Sequence, residues 1–218
     1  MNVSEKRVEA SGHKINYTHI DVGSNAVCFM FSGIGYLYDK PLLYYATMEM
    51  LEHGIDVVRV HYHFKKKILK KSFAKKCLDM MNVIRPVIDA VLADQAYERC
   101  LFLGKSIGTI PIAGALVNQE KFNDAPIILL TPLITYDEVF MNLLECRHQG
   151  LLAIGDRDRF YDADRVKQLK RTHLTIEVIR NADHSLNVGT LDTAVSITAL
   201  AQVMRSLDAV IQKFKLQG

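Results

Sequence analysis

No stretch of this chain holds the ~20 consecutive apolar residues that a membrane span requires. The opening residues, Met1 to Arg7, contain no apolar core of the kind that marks a signal peptide. Cysteine is sparse. Cys28, Cys77, Cys100 and Cys146 are widely spaced, form no C-x-x-C, and fall in apolar or helical patterns. This predicts buried free thiols in a reducing compartment, and so a cytoplasmic protein. Charge of one sign is scarce too: a formal net charge of +3 is too small to imply nucleic acid. There is no long Pro/Gly/Ser linker, no internal repeat and no low-complexity tail. What remains is 218 residues, 49% hydrophobic and 23% charged. That balance suits a soluble globular chain with a sizeable core, and one domain over 1–218 is expected.

Periodicity divides the chain into alternating elements. Lys6 to Ala10 and Lys14 to Asp21 read as strands, with Ser11-Gly12 as a hairpin signal. Ala26 to Phe31 is a short continuous apolar run, the mark of a strand covered on both faces. It ends in the glycine-rich turn Ser32-Gly33-Ile34-Gly35-Tyr36. Leu42 to Leu51 reads as a helix stopped near Gly54. The strand Ile55 to Tyr62 and a lysine-rich segment follow. Phe73 to Leu92 is a long helical pattern that Pro86 is expected to kink or divide. Cys100 to Leu103 is a strand, and Thr109 to Val117 a helix with Pro111 in its first turns. Then come the strand Pro126 to Leu130, the helix Glu138 to Cys146, the strand Leu151 to Ile154, the helix Asp164 to Lys170 and the strand Leu174 to Ile179. In the last helix, Leu191 to Phe214, Ile197, Leu200, Ala201, Met204, Leu207, Ile211 and Phe214 are expected to form one buried face. Strands alternating with helices after a hairpin predict an α/β fold with a mostly parallel sheet. Ligands in such folds sit at the carboxyl ends of the strands.

The chemistry-bearing candidates fall at those ends. Gly104-Lys105-Ser106-Ile107-Gly108 lies between a strand and a helix, the context of a G-x-S-x-G nucleophile elbow. Glycines without Cβ let strand and helix approach closely there, and the turn lifts the serine hydroxyl above the sheet. The Ile107 N–H then points to where an oxyanion would form. A phosphate loop would need glycine five residues before Gly104, where Arg99 stands. After the next strands come Gly155 to Asp162 and Asn181 to Leu186. Candidate partners of the serine therefore follow in the order Ser, Asp, His.

With these residues in place the chain resembles the α/β-hydrolase superfamily. The resemblance runs from the turn after Phe31 to the C-terminal helix. It rests on Ser32-Gly33-Ile34-Gly35, the elbow, Gly155-x-x-Asp158 and Asp183-His184-Ser185. The size is similar to small capless esterases and dienelactone-hydrolase-like members. The resemblance implies Ser106 as nucleophile, His184 as base and Asp158 as the acid that orients it, with a second oxyanion donor in the Ile34 N–H. Asp156 and Asp162 are rivals to Asp158, the one able to hold its turn, the other to cap a helix. Many members have histidine where Ser32 stands.

Tyr36, Tyr38, Leu133 and Phe160 lie in strand-end segments and are candidate pocket residues. Lys65, Lys66, Lys67, Lys70, Lys71, Lys75 and Lys76 form a basic run. It reads as a solvated helix face, or as a rim that attracts an anionic substrate or partner. His61 and His63 have no third ligand at motif spacing, so no metal is expected. Nor is an organic cofactor. The expected activity is serine hydrolysis of a small-to-medium ester or thioester, with no nucleic-acid partner. A non-catalytic binding protein, or an acyltransferase or peptidase on the same residues, is the alternative. Oligomeric state is not written in the sequence.

Overall fold

Every residue of Ala26–Phe31, Ile127–Leu130 and Gly150–Gly155 is buried. Apolar strands of this kind need cover on both faces. The computed structural model, which describes residues 1–10, 12–190 and 192–216, supplies that cover. The strands are β1 (Asn2–Ala10), β2 (His13–Asp21), β3 (Ala26–Phe31), β4 (Asp56–Val60), β5 (Arg99–Lys105), β6 (Ile127–Leu130), β7 (Gly150–Gly155) and β8 (Leu174–Ile179). They form one sheet in the order β1-β2-β4-β3-β5-β6-β7-β8. β1 and β2 form the antiparallel hairpin, β2 pairs antiparallel with β4, and all later pairs are parallel. The hairpin signal at Ser11 lies outside the described residues.

The helices are α1 (Pro41–Glu52), α2 (Phe73–Asp94), α3 (Thr109–Gly114), α4 (Asp137–Glu145), α5 (Ala163–Leu169) and α6 (Thr193–Leu216). Alternate strand side chains face opposite ways. Cys28, Met30, Leu101 and Leu103 pack under α1 and α6, with Leu43, Met50, Val203 and Leu207 opposite them. Val27, Phe29, Phe31 and Phe102 pack under the other helices, with Met80, Ile84, Ile110 and Val166. Between β6 and β7 stands only the nine-residue α4. No helical lid is inserted there.

Three expectations need correction. Pro86 does not divide α2, which runs as one helix from Phe73 to Asp94. The carbonyl that loses its N–H partner belongs to exposed Asn82, where water can serve it. The helix after the elbow is shorter than Thr109 to Val117: α3 stops at Gly114 and a 3-10 turn, Leu116–Asn118, follows.

The buried face of α6 is also rotated. Ala199, Val203, Leu207, Val210, Ile211 and Phe214 are buried, whereas Ile197 is 61% exposed. Apolar residues occur all round the first half of this helix, so its period marks no single face. Leu191, the expected first residue of α6, lies outside the described residues. α6 has the length and composition of a membrane-crossing helix, but here its buried face packs on the sheet.

Candidate active site

β5 enters the elbow fully buried and the chain turns at once. Ser106 has φ +55°, the left-handed region that L residues avoid. The two flanking glycines let the turn close. A Cβ on Gly104 would lie 2.4 Å from the Gly108 carbonyl oxygen, and one on Gly108 would lie 2.1 Å from the Phe31 carbonyl oxygen. The strain sits on the serine itself, as at other sites where surrounding structure fixes a reactive group.

The turn after β3 lies against this elbow. A Cβ on Gly33 would be 3.4 Å from the Ser106 Cβ. Gly33 and Tyr36 close the turn by reciprocal backbone hydrogen bonds of 3.2 and 3.4 Å, which leave the Ile34 N–H unused. The Tyr62 hydroxyl donates to the Ser32 carbonyl at 2.6 Å and ties the turn to the end of β4. Ile107 is the second residue of the 3-10 turn Ser106–Gly108, where backbone N–H groups have no partner within the turn.

The loops after β7 and β8 bring the other two candidates in. His184 Nε2 lies 2.7 Å from Ser106 Oγ, and its Nδ1 lies 2.7 Å from Asp158 Oδ2. A carboxylate only accepts, so Nδ1 carries the hydrogen and Nε2 is free to accept from the serine hydroxyl. Asp158 is 5% exposed and its other oxygen accepts from the Phe160 N–H at 2.9 Å. The rivals are engaged elsewhere. Asp156 Oδ1 accepts from the Asn181 N–H at 2.6 Å, and Asp162 caps α5 by accepting from the Arg165 N–H at 2.9 Å. Asp183 stiffens the histidine loop, accepting from the N–H groups of Ser185 and Asn187 at 2.7 and 3.0 Å.

Two lysines inside the motifs have unexpected places. Lys105 is almost fully buried, and its Nζ donates to the His184 carbonyl at 2.8 Å. The ammonium lies 4.7 Å from the centre of the Tyr36 ring. Burial pulls its pKa down to about 8, against the opposing pull of Asp158 and Asp183. Lys76, expected on a solvated face, is buried with its Nζ 4.2 Å from the centre of the Tyr136 ring. The rest of the basic run fits the solvated reading. Lys66–Lys70 form an exposed 3-10 turn around buried Ile68, and Lys71 and Lys75 pair with Asp79.

Of the four candidate pocket residues, Phe160 stands beside the imidazole, ring centres 5.2 Å apart. Tyr36 is half-buried, and its hydroxyl accepts from the Leu42 N–H at 3.2 Å. Tyr38 and Leu133 are core residues and line no open cleft. The Tyr38 hydroxyl, 2.7 Å from both the Met30 and Val60 carbonyls, is held within the sheet. His61 bonds Thr18 Oγ1 at 2.7 Å, on the β2 side of the sheet. Among the described residues one group has metal-ligand types in reach of one another: Glu49, His53 and Asp208. His53 Nε2 lies 2.8 Å from Asp208 Oδ1, and the Gln212 amide donates to both Asp208 oxygens, so this group ties α1 to α6.

Lys105, Lys76 and Tyr62 escaped the sequence reading. For Lys76 a signal was available: it precedes Met80 and Ile84 at four-residue steps, on the apolar stripe of α2.

A mostly parallel sheet with an elbow serine at its carboxyl edge, bonded to a histidine that is itself bonded to an aspartate from another loop, defines a hydrolase-type α/β protein. No curated protein sequence matches the chain. The α/β hydrolase domain family matches residues 25–212, and the chain belongs to that family. Solved structures share its fold at low identity. An α/β serine hydrolase homologue from Coxiella burnetii superposes with TM-score 0.71 at 13% identity, over 95% of this chain and 98% of the other. An α/β serine hydrolase without lid from Xanthomonas campestris gives 0.71 at 13%, over 97% and 94%. A dienelactone hydrolase from Anabaena variabilis gives 0.67 at 16%, over 94% and 98%.

Proposed function

We propose that this chain is a serine hydrolase that cleaves carboxylic esters or thioesters of small-to-medium substrates through an acyl-enzyme. One observation carries the reading: the unbroken hydrogen-bond line Ser106 Oγ, His184, Asp158. Ser106 Oγ attacks the carbonyl carbon as its proton passes to His184 Nε2. The N–H groups of Ile34 and Ile107 receive the oxyanion. The tetrahedral adduct expels the alcohol or thiol, which takes the proton from Nε2. Water then gives its proton to Nε2 and attacks the acyl-serine, and the carboxylic acid leaves as the proton returns to Ser106. Asp158 holds the imidazole tautomer throughout and stabilises the imidazolium. We place its activity in a reducing cytoplasm, in keeping with its free thiols.

The test is labelling of the purified protein with a fluorophosphonate, with Ser106→Ala as control, followed by short acyl esters and thioesters. Labelling and turnover that vanish together in the variant support the reading. A folded protein that neither labels nor hydrolyses any of these esters would overturn it.

A further inference from the structure

α1 starts at the carboxyl edge of the sheet, after β3, and ends at the amino edge, where β4 begins. Its last turn therefore lies at the edge opposite Ser106, and α6 packs beside it on the same face of the sheet. Glu49 and His53 are four residues apart on α1 and share one side of that helix. Asp208 of α6 faces them. One ligand atom from each, His53 Nε2 and a carboxylate oxygen of Glu49 and of Asp208, lies within 4.8 Å of the others. His53 Nε2 is 2.8 Å from Asp208 Oδ1 and 3.6 Å from Glu49 Oε1. The Glu49 and His53 side chains are only 18% and 17% exposed.

Hydrogen bonding leaves this group short of positive charge. Two carboxylates converge on one imidazole nitrogen, which carries at most one hydrogen whatever the charge of the ring. Asp208 Oδ1 takes that hydrogen, and both Asp208 oxygens also accept from the Gln212 amide. Glu49 Oε1 stands beyond hydrogen-bond reach, and among the described residues no other donor bonds the Glu49 carboxylate. Burial pushes the Glu49 carboxyl up from its ordinary pKa, and the charges of Asp208 and Glu52 add to this against the pull of His53. The Lys215 ammonium is bonded to the His53 carbonyl at 3.0 Å.

A divalent cation satisfies all three atoms together, because each meets it with a lone pair. One imidazole and two carboxylates are zinc ligands, and zinc binds them in a tetrahedral array. Bonds of about 2.0–2.1 Å in that array set neighbouring donor atoms about 3.4 Å apart. The 3.6 Å separation already fits, and the 2.8 Å one opens once its hydrogen is no longer between the atoms.

We propose that Glu49, His53 and Asp208 form a zinc site that clamps the last turn of α1 to α6, with water in the fourth position. His53 binds as the neutral imidazole with its hydrogen on Nδ1, so that the Nε2 lone pair faces the ion. The two charges of Zn²⁺ balance the two carboxylates. The site is independent of the hydrolase reading.

The test is calorimetric titration of chelator-treated protein, its thiols kept reduced by a phosphine, with zinc chloride and in parallel with magnesium chloride. One zinc should bind per chain. At free zinc about 100-fold above Kd the melting temperature should rise by roughly 5 °C. Magnesium should do neither, because it favours six oxygen ligands and keeps its waters.

Glu49→Gln keeps the size of the side chain and removes one charge from the crowded pair. Without metal it should be as stable as wild type or more so, yet its Kd for zinc should rise about tenfold or more and the thermal shift should disappear. His53→Gln should weaken zinc binding likewise. A helix strut with no metal would give neither the shift nor the dependence on Glu49. No zinc binding by the wild type would overturn the site. So would a Kd unchanged in both variants, which would put the zinc on a cysteine or on His184 instead, and so would an equal response to magnesium.

Discussion

Lys105 Nζ lies 2.8 Å from the carbonyl oxygen of His184, so the residue before the candidate nucleophile holds the loop of the candidate base. Removing this charged donor by Lys105→Met should loosen the imidazole relative to Ser106. We expect kcat on short esters to fall roughly 10-fold, the scale of one charge-assisted hydrogen bond, with KM much less affected. Steady-state kinetics on the variant, with circular dichroism to confirm folding, checks this.

The same lysine makes stability depend on alkaline pH. Its pKa falls from 10.5 to about 8 on folding because burial disfavours the charge. Between these values the unfolded chain binds the proton and the folded protein does not. Stability contributed by this group therefore rises with pH through that window, and the burial penalty is fully present below it. Denaturant unfolding at pH 8 and pH 10 should show the wild type gaining relative to Lys105→Met.

Asp158 and Asp156 share one turn and accept from different residues of the loop after β8, His184 and Asn181. Asp158→Asn should lower turnover by a factor on the order of 10³–10⁴, because an amide can hold the imidazole in the wrong tautomer. Asp156→Asn keeps an acceptor for the Asn181 N–H and should cost about 1 kcal/mol of stability or less, with turnover largely retained. Parallel rate and unfolding measurements on the two variants give the ranking, and the reverse order would move the acid's role to Asp156.

Two glycines near the serine should respond differently to a methyl group. In Gly108→Ala the new Cβ would meet the Phe31 carbonyl at 2.1 Å. β3 and the elbow would have to separate, at a cost of about 3 kcal/mol and with most turnover lost. Gly35 has φ +73° but open space around it. Gly35→Ala should cost only about 1–2 kcal/mol, the penalty of the left-handed conformation. Chemical denaturation of both variants measures the difference.

How much of this was legible follows from which forces act locally. β3, β6 and β7 were readable because a strand covered on both faces must be a continuous apolar run. Ser106 and Asp158 were readable as candidates because each follows an apolar run, and His184 because it follows the last strand and completes the order Ser, Asp, His. The choice of Asp158 over Asp156 and Asp162 was not local: it depends on how the β7 and β8 loops meet. The face of α6 was hidden because its first half is apolar all round. Tyr38 and Leu133 were misplaced because a strand-end position does not say which way a side chain turns. Lys76 was misread because a run of lysines looks solvated, although helical spacing sets this one on the apolar stripe.

The hydrogen-bonded line through Ser106, His184 and Asp158 is made of residues 78 and 26 positions apart, each on a separate strand-end loop. Ser106 and Asp158 are both synthesised before His184. A growing chain on the ribosome thus exposes a serine with no base beside it. Under the proposed chemistry, the nascent protein is inert towards acyl compounds until the loop after β8 has emerged and docked, and reactivity arrives in one step with completion of the sheet.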